Sequence, residues 1–317
     1  MRHAYKKKIL YCGLVIVGVI IFLHPNMNAR RTYDFIEKRN ILEHLYDQTA
    51  QNFTSPAILD CDYHDILFDD TTMSINLMDG DLIEGHRIKD GGEFHPSDCK
   101  PKFSTAIIVP YRDRAETLRG FLVYMHMFLR RQNIHYRIYV IEQVDMRPFN
   151  RAKLLNIGAA AAFKAGYPCL VLHDVDLLPL KPANLYACTK CPRHMSSSIN
   201  KFRFVLPYLS LFGGAIAITS SQFKLINGMS NEYYGWGGED DDLYARLEVG
   251  ELKLCRFAPD TSRYHMVTHQ TQQKGEKRHK LLNYAKNRIN NDGLNTLRYT
   301  EVATVLHPLF THIMVDL

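Results

Sequence analysis

The chain has 317 residues, 46% hydrophobic and 23% charged, a length that suffices for one large domain or two small ones with a substantial core. Its formal net charge is +6, but six basic residues precede the first acidic residue, Asp34, and the remainder carries equal numbers of both signs. The basic character therefore belongs to the amino terminus, which removes the usual electrostatic argument for nucleic acid as a partner.

The amino terminus has the pattern of a membrane anchor. Residues 1–8 contain three consecutive lysines, and the uncharged apolar run 9–23 follows them. Fifteen residues are few for a membrane-spanning helix, so a cleaved signal peptide is an alternative, although residues 24–28 offer no small-x-small cleavage site. We expect an uncleaved signal-anchor, with residues 1–8 in the cytoplasm and the rest of the chain in the lumen of a thin early-secretory or Golgi membrane.

Residues 24–60 are polar and lack a sustained apolar face, which is typical of a stem. They include Asn52 in the sequon Asn-Phe-Thr, a predicted glycosylation site. A lumenal domain permits disulfides, but the spacing of the cysteines does not pair them. Cys188 and Cys191 have Cys-x-x-Cys spacing, yet no matching second pair follows, so we do not expect a structural zinc site.

Strand and helix patterns alternate from residue 105 onward. This order predicts a βαβαβ unit with right-handed crossovers, and therefore an α/β fold with a parallel sheet. The unit has no Gly-x-Gly-x-x-Gly, so it is not a dinucleotide-binding fingerprint. The predicted strands are 105–110, 137–142 and 169–173, and the predicted helices are 116–131 and 151–164.

Two carboxylates, Asp174 and Asp176, follow the third predicted strand directly. They point to the same side of that strand, at the sheet edge where α/β proteins bind ligands. Two carboxylates this close repel each other unless a cation or a set of donors lies between them. A divalent ion chelated by a nucleotide diphosphate fits such a place.

A second acidic region lies further along the chain. A strand is predicted at 213–218, a short helix capped by Ser220 follows, and another helix is predicted at 243–248. Before that last helix, residues 233–242 place the single tryptophan, Trp236, among glycines and end on four carboxylates. Capping of the helix explains carboxylates at its amino terminus, but it does not explain the tryptophan. An aromatic loop beside carboxylates is typical of a sugar-binding site.

Several motifs, taken together, resemble the metazoan β1,4-galactosyltransferase family, glycosyltransferase family seven. They occur in family order and cover the chain from about Cys99 to the carboxyl terminus. Within the family, the chain is similar to an invertebrate branch of β1,4-N-acetylgalactosaminyltransferases. The matching segments are Pro110–Arg114, Phe149–Gly158, Asp174–Asp176, Phe212–Gly214, Gly235–Asp242 and Met266–His269.

The resemblance implies a single catalytic domain over residues 61–317 with the GT-A fold, whose central sheet is mixed and largely parallel. It implies a type II Golgi membrane protein with Mn²⁺ as cofactor, a UDP-sugar as donor and an N-acetylglucosamine-terminated glycan as acceptor. The implied reaction inverts the anomeric centre. Such a transfer is one displacement, so it needs one base on the acceptor hydroxyl and a stabilised leaving group.

The resemblance also implies roles for individual residues. Asp240, beside Glu239, would be the general base. Asp176, Met266 and His269 would bind manganese, although a thioether is a soft ligand for this hard ion. The implied donor-binding residues are Pro110, Tyr111, Arg112, Asp113, Arg114, Phe149, Asn150, Arg151, Asp174, Val175, Asp176, Trp236 and His269. The implied acceptor-binding residues are Tyr208, Gly237, Gly238, Glu239, Asp240 and Arg278. The implied disulfides are Cys61–Cys99 and Cys169–Cys188.

Leu211 departs from the family's galactosyltransferases, which have tyrosine before Phe-Gly-Gly. Leucine lacks the ring and the hydroxyl, so it leaves room for an N-acetyl group at C2 of the donor sugar. We therefore expect β1,4 transfer of N-acetylgalactosamine from UDP-N-acetylgalactosamine to N-acetylglucosamine of glycoprotein or glycolipid glycans. If Leu211 is only a packing residue, the alternative is transfer of galactose from UDP-galactose. A third hypothesis, a catalytically inactive glycan-binding protein, predicts loss of acidic residues that this chain retains.

Overall fold

The helices and strands alternate along most of the chain in the computed structural model, which describes residues 2–23, 33–46, 59–75, 88–268 and 273–317. The helices are α1 (Arg2–Leu23), α2 (Ile41–His44), α3 (His64–Phe68), α4 (Ala115–Arg130), α5 (Arg151–Lys164), α6 (Ser220–Leu225), α7 (Glu239–Val249), α8 (Arg278–Asn283) and α9 (Ala285–Arg288). The strands are β1 (Ile88–Lys89), β2 (Glu93–Phe94), β3 (Ser104–Tyr111), β4 (His135–Gln143), β5 (Cys169–His173), β6 (Leu177–Pro179), β7 (Arg193–His194), β8 (Ser198–Ile199), β9 (Ala215–Thr219), β10 (Arg263–Met266), β11 (Thr300–Leu306) and β12 (Thr311–Asp316). Single 3₁₀ turns occupy Lys38–Asn40, Asn200–Phe202, Ile289–Asn291 and Leu294–Thr296.

The main sheet has the strand order β1-β2-β4-β3-β5-β9-β7, with β12 beside β4 and β11 outside β12. Strand β3 runs parallel to β4 and β5, because α4 and α5 return the chain to the same edge each time. Strand β9, in contrast, pairs with β5 antiparallel. The sheet is therefore mixed with a parallel centre, and β6, β10 and β8 form a smaller second sheet.

Apolar side chains cover both faces of the main sheet. Along β3, Ile107 and Val109 belong to the core that includes α4, while Ala106 and Ile108 belong to the core that includes α5. Successive side chains on a strand point to opposite faces, so a strand buried on both sides needs the uninterrupted apolar run that this sequence has. The result is a three-layer arrangement of helix, sheet and helix.

The predicted central strands and helices are present, with ends that differ by at most two residues. Three local predictions were wrong. Helix α7 begins at Glu239, not at residue 243, so the four carboxylates form its first turn. Helix α6 is capped by Thr219 rather than Ser220, in a capping box with Gln222. The Gly213–Ile218 strand is β9, and its first two residues lie outside the strand.

The two disulfides implied by the resemblance are present, between Cys61 and Cys99 and between Cys169 and Cys188. Cys191 is a free thiol. Because Cys188 is used in a disulfide, the Cys-x-x-Cys spacing does not form half of a metal site.

Helix α1 contains the apolar run 9–23. Among the residues that the structure describes, no helix has both the length and the apolar character required to cross a membrane. The anchor therefore stays a prediction. Asn52 lies outside the described residues, so its glycosylation also stays a prediction.

Part of the predicted stem packs against the folded domain. Residues 33–46 lie along the segments around residues 189 and 257, with bridges from Ile36 to Phe257 and from Leu45 to Thr189. Ile41 is 0% exposed and Leu45 is 4% exposed. The prediction of a stem from 24 to 60 overlooked this segment because its few apolar side chains do not make a sustained stripe. The bridge partners of the segment lie about 140–220 residues further along the chain, so a local pattern does not reveal them.

We predict that Ile41→Ala lowers the free energy of unfolding by about 2–4 kcal/mol, because it removes a fully buried side chain from a packed site. The neighbouring variant Leu42→Ala is the control, since Leu42 is 44% exposed. Chemical denaturation of the full chain measures both. Equal stabilities for the two variants would show that the segment does not dock on the domain.

Candidate active site

A cavity of about 500 Å³ opens at the carboxyl edge of the parallel strands. Its lining comes from the end of β3, from the segments that follow β3, β4 and β5, from β10, and from the amino terminus of α7. The lining residues that the resemblance implied are Pro110, Tyr111, Arg112, Arg114, Phe149, Arg151, Asp174, Val175, Asp176, Trp236, Glu239, Asp240 and Met266. Residues from distant motifs are thus brought to one site.

Arg151 lines this cavity from the first position of α5. Its Nε donates to Asp174 Oδ1 at 2.6 Å, and its Nη1 donates to Asp240 Oδ1 at 2.9 Å. The same Nη1 is 3.8 Å from Glu239 Oε1. One guanidinium therefore joins the carboxylate that follows β5 to the two carboxylates that begin α7.

The proximity of these charges shifts their pKa values. Burial alone would lower the pKa of Arg151, but the carboxylates of Asp174, Asp240 and Glu239 outweigh it and raise that pKa. Burial raises the pKa of Asp240, Arg151 opposes that rise, and neighbouring carboxylates add to it. The pKa of Glu239 is raised by burial in the same way. Arg151 is therefore permanently charged, and Asp240 has the raised basicity that suits proton transfer.

The backbone beside Asp240 leaves no room for a side chain. A Cβ atom on Gly213 would meet Asp240 Oδ2 at 2.0 Å, so glycine is required for the Asp240 carboxylate to occupy its position. Gly214 has φ +73°, and its carbonyl accepts from Asp174 N at 3.1 Å. These two glycines bring the end of β5 and the start of α7 together.

The loop before α7 carries Trp236 at the mouth of the cavity. Gly235 N donates to Phe149 O at 2.9 Å, and Trp236 N donates to Gln273 O at 2.9 Å, so both sides of the loop are tied down. The Trp236 side chain itself is 53% exposed. A side chain at Gly237 would meet Arg278 Cδ at 3.3 Å, which places Arg278 beside the loop.

The metal ligands implied by the resemblance are only partly covered by the described residues. Asp176 and Met266 line the same cavity, and Val267 N donates to Asp176 O at 2.8 Å, which holds the two segments together. His269 lies outside the described residues, and within those residues no cluster of three His, Cys, Asp or Glu side chains could hold a metal. Asp176 is an ordinary hard-ion ligand with a 7% exposed side chain, paired with Arg114 at 3.2 Å, so it suits Mn²⁺.

Several implied site residues lie away from the cavity wall. Asn150 is fully buried, where its Oδ1 caps α5 by accepting from Lys153 N at 2.9 Å. Asp113 is exposed with φ 50°. Tyr208 donates to Asp241 Oδ1 at 3.0 Å, and Leu211 is half-buried. These four, with Gly237, Gly238 and Arg278, keep their implied roles as predictions.

The sequence analysis missed Asn200 and Lys201, which line the cavity. Asn200 Oδ1 accepts from Met266 N at 2.8 Å, and its Nδ2 lies 3.0 Å from His265 Nδ1. Asn200 therefore positions the strand that carries Met266. No local signal marks these residues, because they reach the site through a 3₁₀ turn that pairs with β10 from 66 residues away.

The mixed sheet with its parallel centre, and a cavity at its edge lined by both arginines and carboxylates, define a GT-A glycosyltransferase fold. A solved structure of a Drosophila β1,4-galactosyltransferase 7 mutant, in complex with manganese, UDP-Gal and xylobiose, matches the chain with TM-score 0.59 and 30% identity. The match covers 68% of this chain and 94% of that one. The fold predicted from the sequence is thus confirmed, and manganese is present in a homologue of that fold, as predicted for the cofactor.

Family models place the chain more narrowly. The model described as the N-terminal region of glycosyl transferase group 7 matches residues 65–189, and that described as the N-terminal domain of galactosyltransferase matches residues 193–270. The chain therefore belongs to glycosyltransferase family seven, the family that its motifs resemble.

Known proteins of similar sequence belong to the same family. Rat β1,4-galactosyltransferase 6 is 36% identical over 317 residues, covering 95% of this chain and 82% of that protein. Human β1,4-galactosyltransferase 3 is 44% identical over 236 residues, 73% of this chain. The match spans only 60% of the length of that relative.

We predict that Asp176→Asn weakens Mn²⁺ binding at least about tenfold in the presence of UDP, because it replaces a charged ligand by a neutral amide. Titration of the full chain followed by the electron paramagnetic resonance of free Mn²⁺ measures the affinity. Asp260→Asn is the control, since Asp260 is an exposed carboxylate that pairs with Arg263 outside the cavity. Equal affinities for both variants would remove Asp176 from the metal site.

Proposed function

We propose that this protein is an inverting, Mn²⁺-dependent β1,4-hexosyltransferase that moves a hexose from a UDP-sugar to N-acetylglucosamine at the end of a glycan. The observation that carries the proposal is the position of Arg151, which contacts Asp174 and Asp240 at 2.6 and 2.9 Å. Asp174 follows β5 at the sheet edge proposed to bind the nucleotide-sugar, and Asp240 lies in the first turn of α7, next to the loop that carries Trp236. Donor and acceptor would therefore meet at this guanidinium.

In the proposed reaction, a carboxylate oxygen of Asp240 accepts the proton of the acceptor hydroxyl as its oxygen attacks the anomeric carbon. The bond between that carbon and the UDP oxygen breaks on the opposite side, so the configuration is inverted. Arg112 and Arg114 line the cavity and can bind the phosphates, with the Arg112 guanidinium held 5.4 Å from the Phe149 ring centroid. Mn²⁺ bound at Asp176, Met266 and His269 would offset the charge of the departing UDP.

UDP-galactose is the first candidate donor. The relatives are β1,4-galactosyltransferases by name, and the Drosophila structure holds UDP-Gal. The preference for UDP-N-acetylgalactosamine predicted from Leu211 has no support from these comparisons, and it rests on that one substitution. It remains the second candidate, because a side chain in the donor pocket typically changes the preference between related donors by about 1–3 kcal/mol.

We also propose a lumenal location for the domain, with the predicted anchor at residues 9–23 in a Golgi membrane. The two disulfides support an oxidising compartment.

We predict that the chain expressed in a secretory cell carries an N-glycan at Asn52. Digestion with an endoglycosidase should reduce its mass on a gel, and Asn52→Gln should abolish the shift. No shift in the unaltered chain would contradict a lumenal residue 52.

We predict that Asp240→Asn lowers kcat roughly 10²–10⁴-fold while UDP binding is retained, because the amide cannot accept the proton. Because burial raises the pKa of Asp240, kcat/KM of the unaltered enzyme should rise with pH until this carboxyl is ionised. Glu248→Gln, on the exposed last turn of the same helix, is the matched control. Transfer by Asp240→Asn at the normal rate would exclude Asp240 as the base. Glycan binding without transfer by the unaltered protein would favour the inactive binding protein.

The donor is decided by comparing kcat/KM for UDP-galactose and UDP-N-acetylgalactosamine on an N-acetylglucosamine acceptor, with xylobiose as a second acceptor. We predict transfer of galactose by the unaltered chain. If Leu211 widens the donor pocket, N-acetylgalactosamine should also be transferred, and Leu211→Tyr should reduce that activity about tenfold or more. An unchanged donor ratio in Leu211→Tyr would show that Leu211 only packs.

A further inference from the structure

The segment of residues 33–46, predicted as part of a stem, reaches the loop 208–213 through one buried arginine. Arg256 is 6% exposed, and its guanidinium lies 5.2 Å from the centroid of the Tyr33 ring. Ile36 N donates to Arg256 O at 2.9 Å, so backbone and side chain of Arg256 both contact the segment. Tyr33 is held in turn by a hydrogen bond of 2.9 Å between its hydroxyl and Ser197 Oγ.

The other side of Arg256 holds the loop. Its Nη2 donates to Leu209 O at 2.7 Å and to Leu211 O at 3.0 Å, and its Nε donates to His194 Nδ1 at 3.3 Å. Two carbonyl groups of this loop, those of Leu209 and Leu211, are thus bound by a single nitrogen. The guanidinium is planar and its donors have fixed directions, so its orientation determines where these carbonyls lie.

The two ends of this loop contact the carboxylates that begin α7. Tyr208 donates to Asp241 Oδ1 at 3.0 Å, and Gly213 is in close contact with Asp240. A displacement of the loop would therefore move the groups that surround the proposed base. The contacts run in sequence from Tyr33 to Arg256, from Arg256 to the loop, and from the loop to Asp240 and Asp241.

We propose that residues 33–46 are a positioning element of the active site, and that Tyr33 and Arg256 hold the loop 208–213 in the geometry that receives the acceptor sugar. This inference rests on the proposed function. Tyr33 and Arg256 touch no substrate in it, so they are positioning residues. The aromatic ring contributes by attraction to the buried cation, and it excludes water from the guanidinium face.

The test measures transfer by full-length variants, with the KM values for donor and acceptor determined separately. Arg256→Gln should raise the acceptor KM roughly tenfold, because the loop loses both of its bonds, and Tyr33→Leu should raise it about threefold. Tyr33→Phe, which keeps the ring over Arg256, should stay within about twofold of the unaltered enzyme. The donor KM should rise by less than the acceptor KM in each variant, although the loop also carries Leu211, the predicted donor-side residue.

Lys38→Ala is the matched control, since Lys38 belongs to the same segment but pairs with Asp70 and not with Arg256. Thermal unfolding of every variant separates lost positioning from lost folding. If Arg256→Gln does not fold, the comparison of the acceptor KM between Tyr33→Leu and Tyr33→Phe still tests the positioning role. An acceptor KM that is unchanged in Tyr33→Leu overturns the inference. An unaltered chain that is inactive with every donor and acceptor overturns the proposed function instead.

Discussion

The site depends on the charge balance around Arg151. Three carboxylates, from Asp174, Glu239 and Asp240, lie around one guanidinium with a 15% exposed side chain. Carboxylates this close would repel one another strongly in a partly buried cavity without a cation between them. The positive end of α5 does not favour an arginine at its first position, so Arg151 depends on the carboxylates for its stabilisation, as they depend on Arg151. The segment that follows β5 and the first turn of α7 therefore depend on each other electrostatically, through Arg151.

A second ionic network, centred on Asp242, holds the first turn of α7 in place. Asp242 is 0% exposed, and its Oδ1 accepts from Arg246 Nε at 2.6 Å. Its Oδ2 accepts from Arg288 Nη2 at 2.8 Å and from the Tyr233 hydroxyl at 3.0 Å. Breaking such a buried pair typically costs more than the pair contributes, since it leaves an uncompensated charge. The four consecutive acidic residues thus divide their tasks: Glu239 and Asp240 face the cavity, Asp241 accepts from Tyr208, and Asp242 anchors the helix.

Much of the centre of the fold was predictable, because each central strand and helix carries its own apolar period. The βαβαβ order gave the parallel centre and the edge where Asp174 and Asp176 lie. The direction of β9 was not predictable in this way, since an apolar run does not state which way it runs beside β5. The start of α7 was missed because a run of four acidic residues is compatible both with a loop and with the first turn of a helix. Only the dipole and the network around Asp242 distinguish these.

The motifs in the chain were sufficient to identify the family, because each motif is a short run with its own chemistry. The resemblance to that family then implied the disulfide pairs and most of the residues around the cavity. Folding decided which of those residues share a surface. It placed Asn150 in a helix cap, brought Asn200 to the cavity, and joined Tyr33 to Arg256 across more than 200 residues of sequence. Such contacts arise from packing between elements distant along the chain, and their free energy exists only when all of those elements are in place. A local sequence pattern therefore cannot predict these contacts.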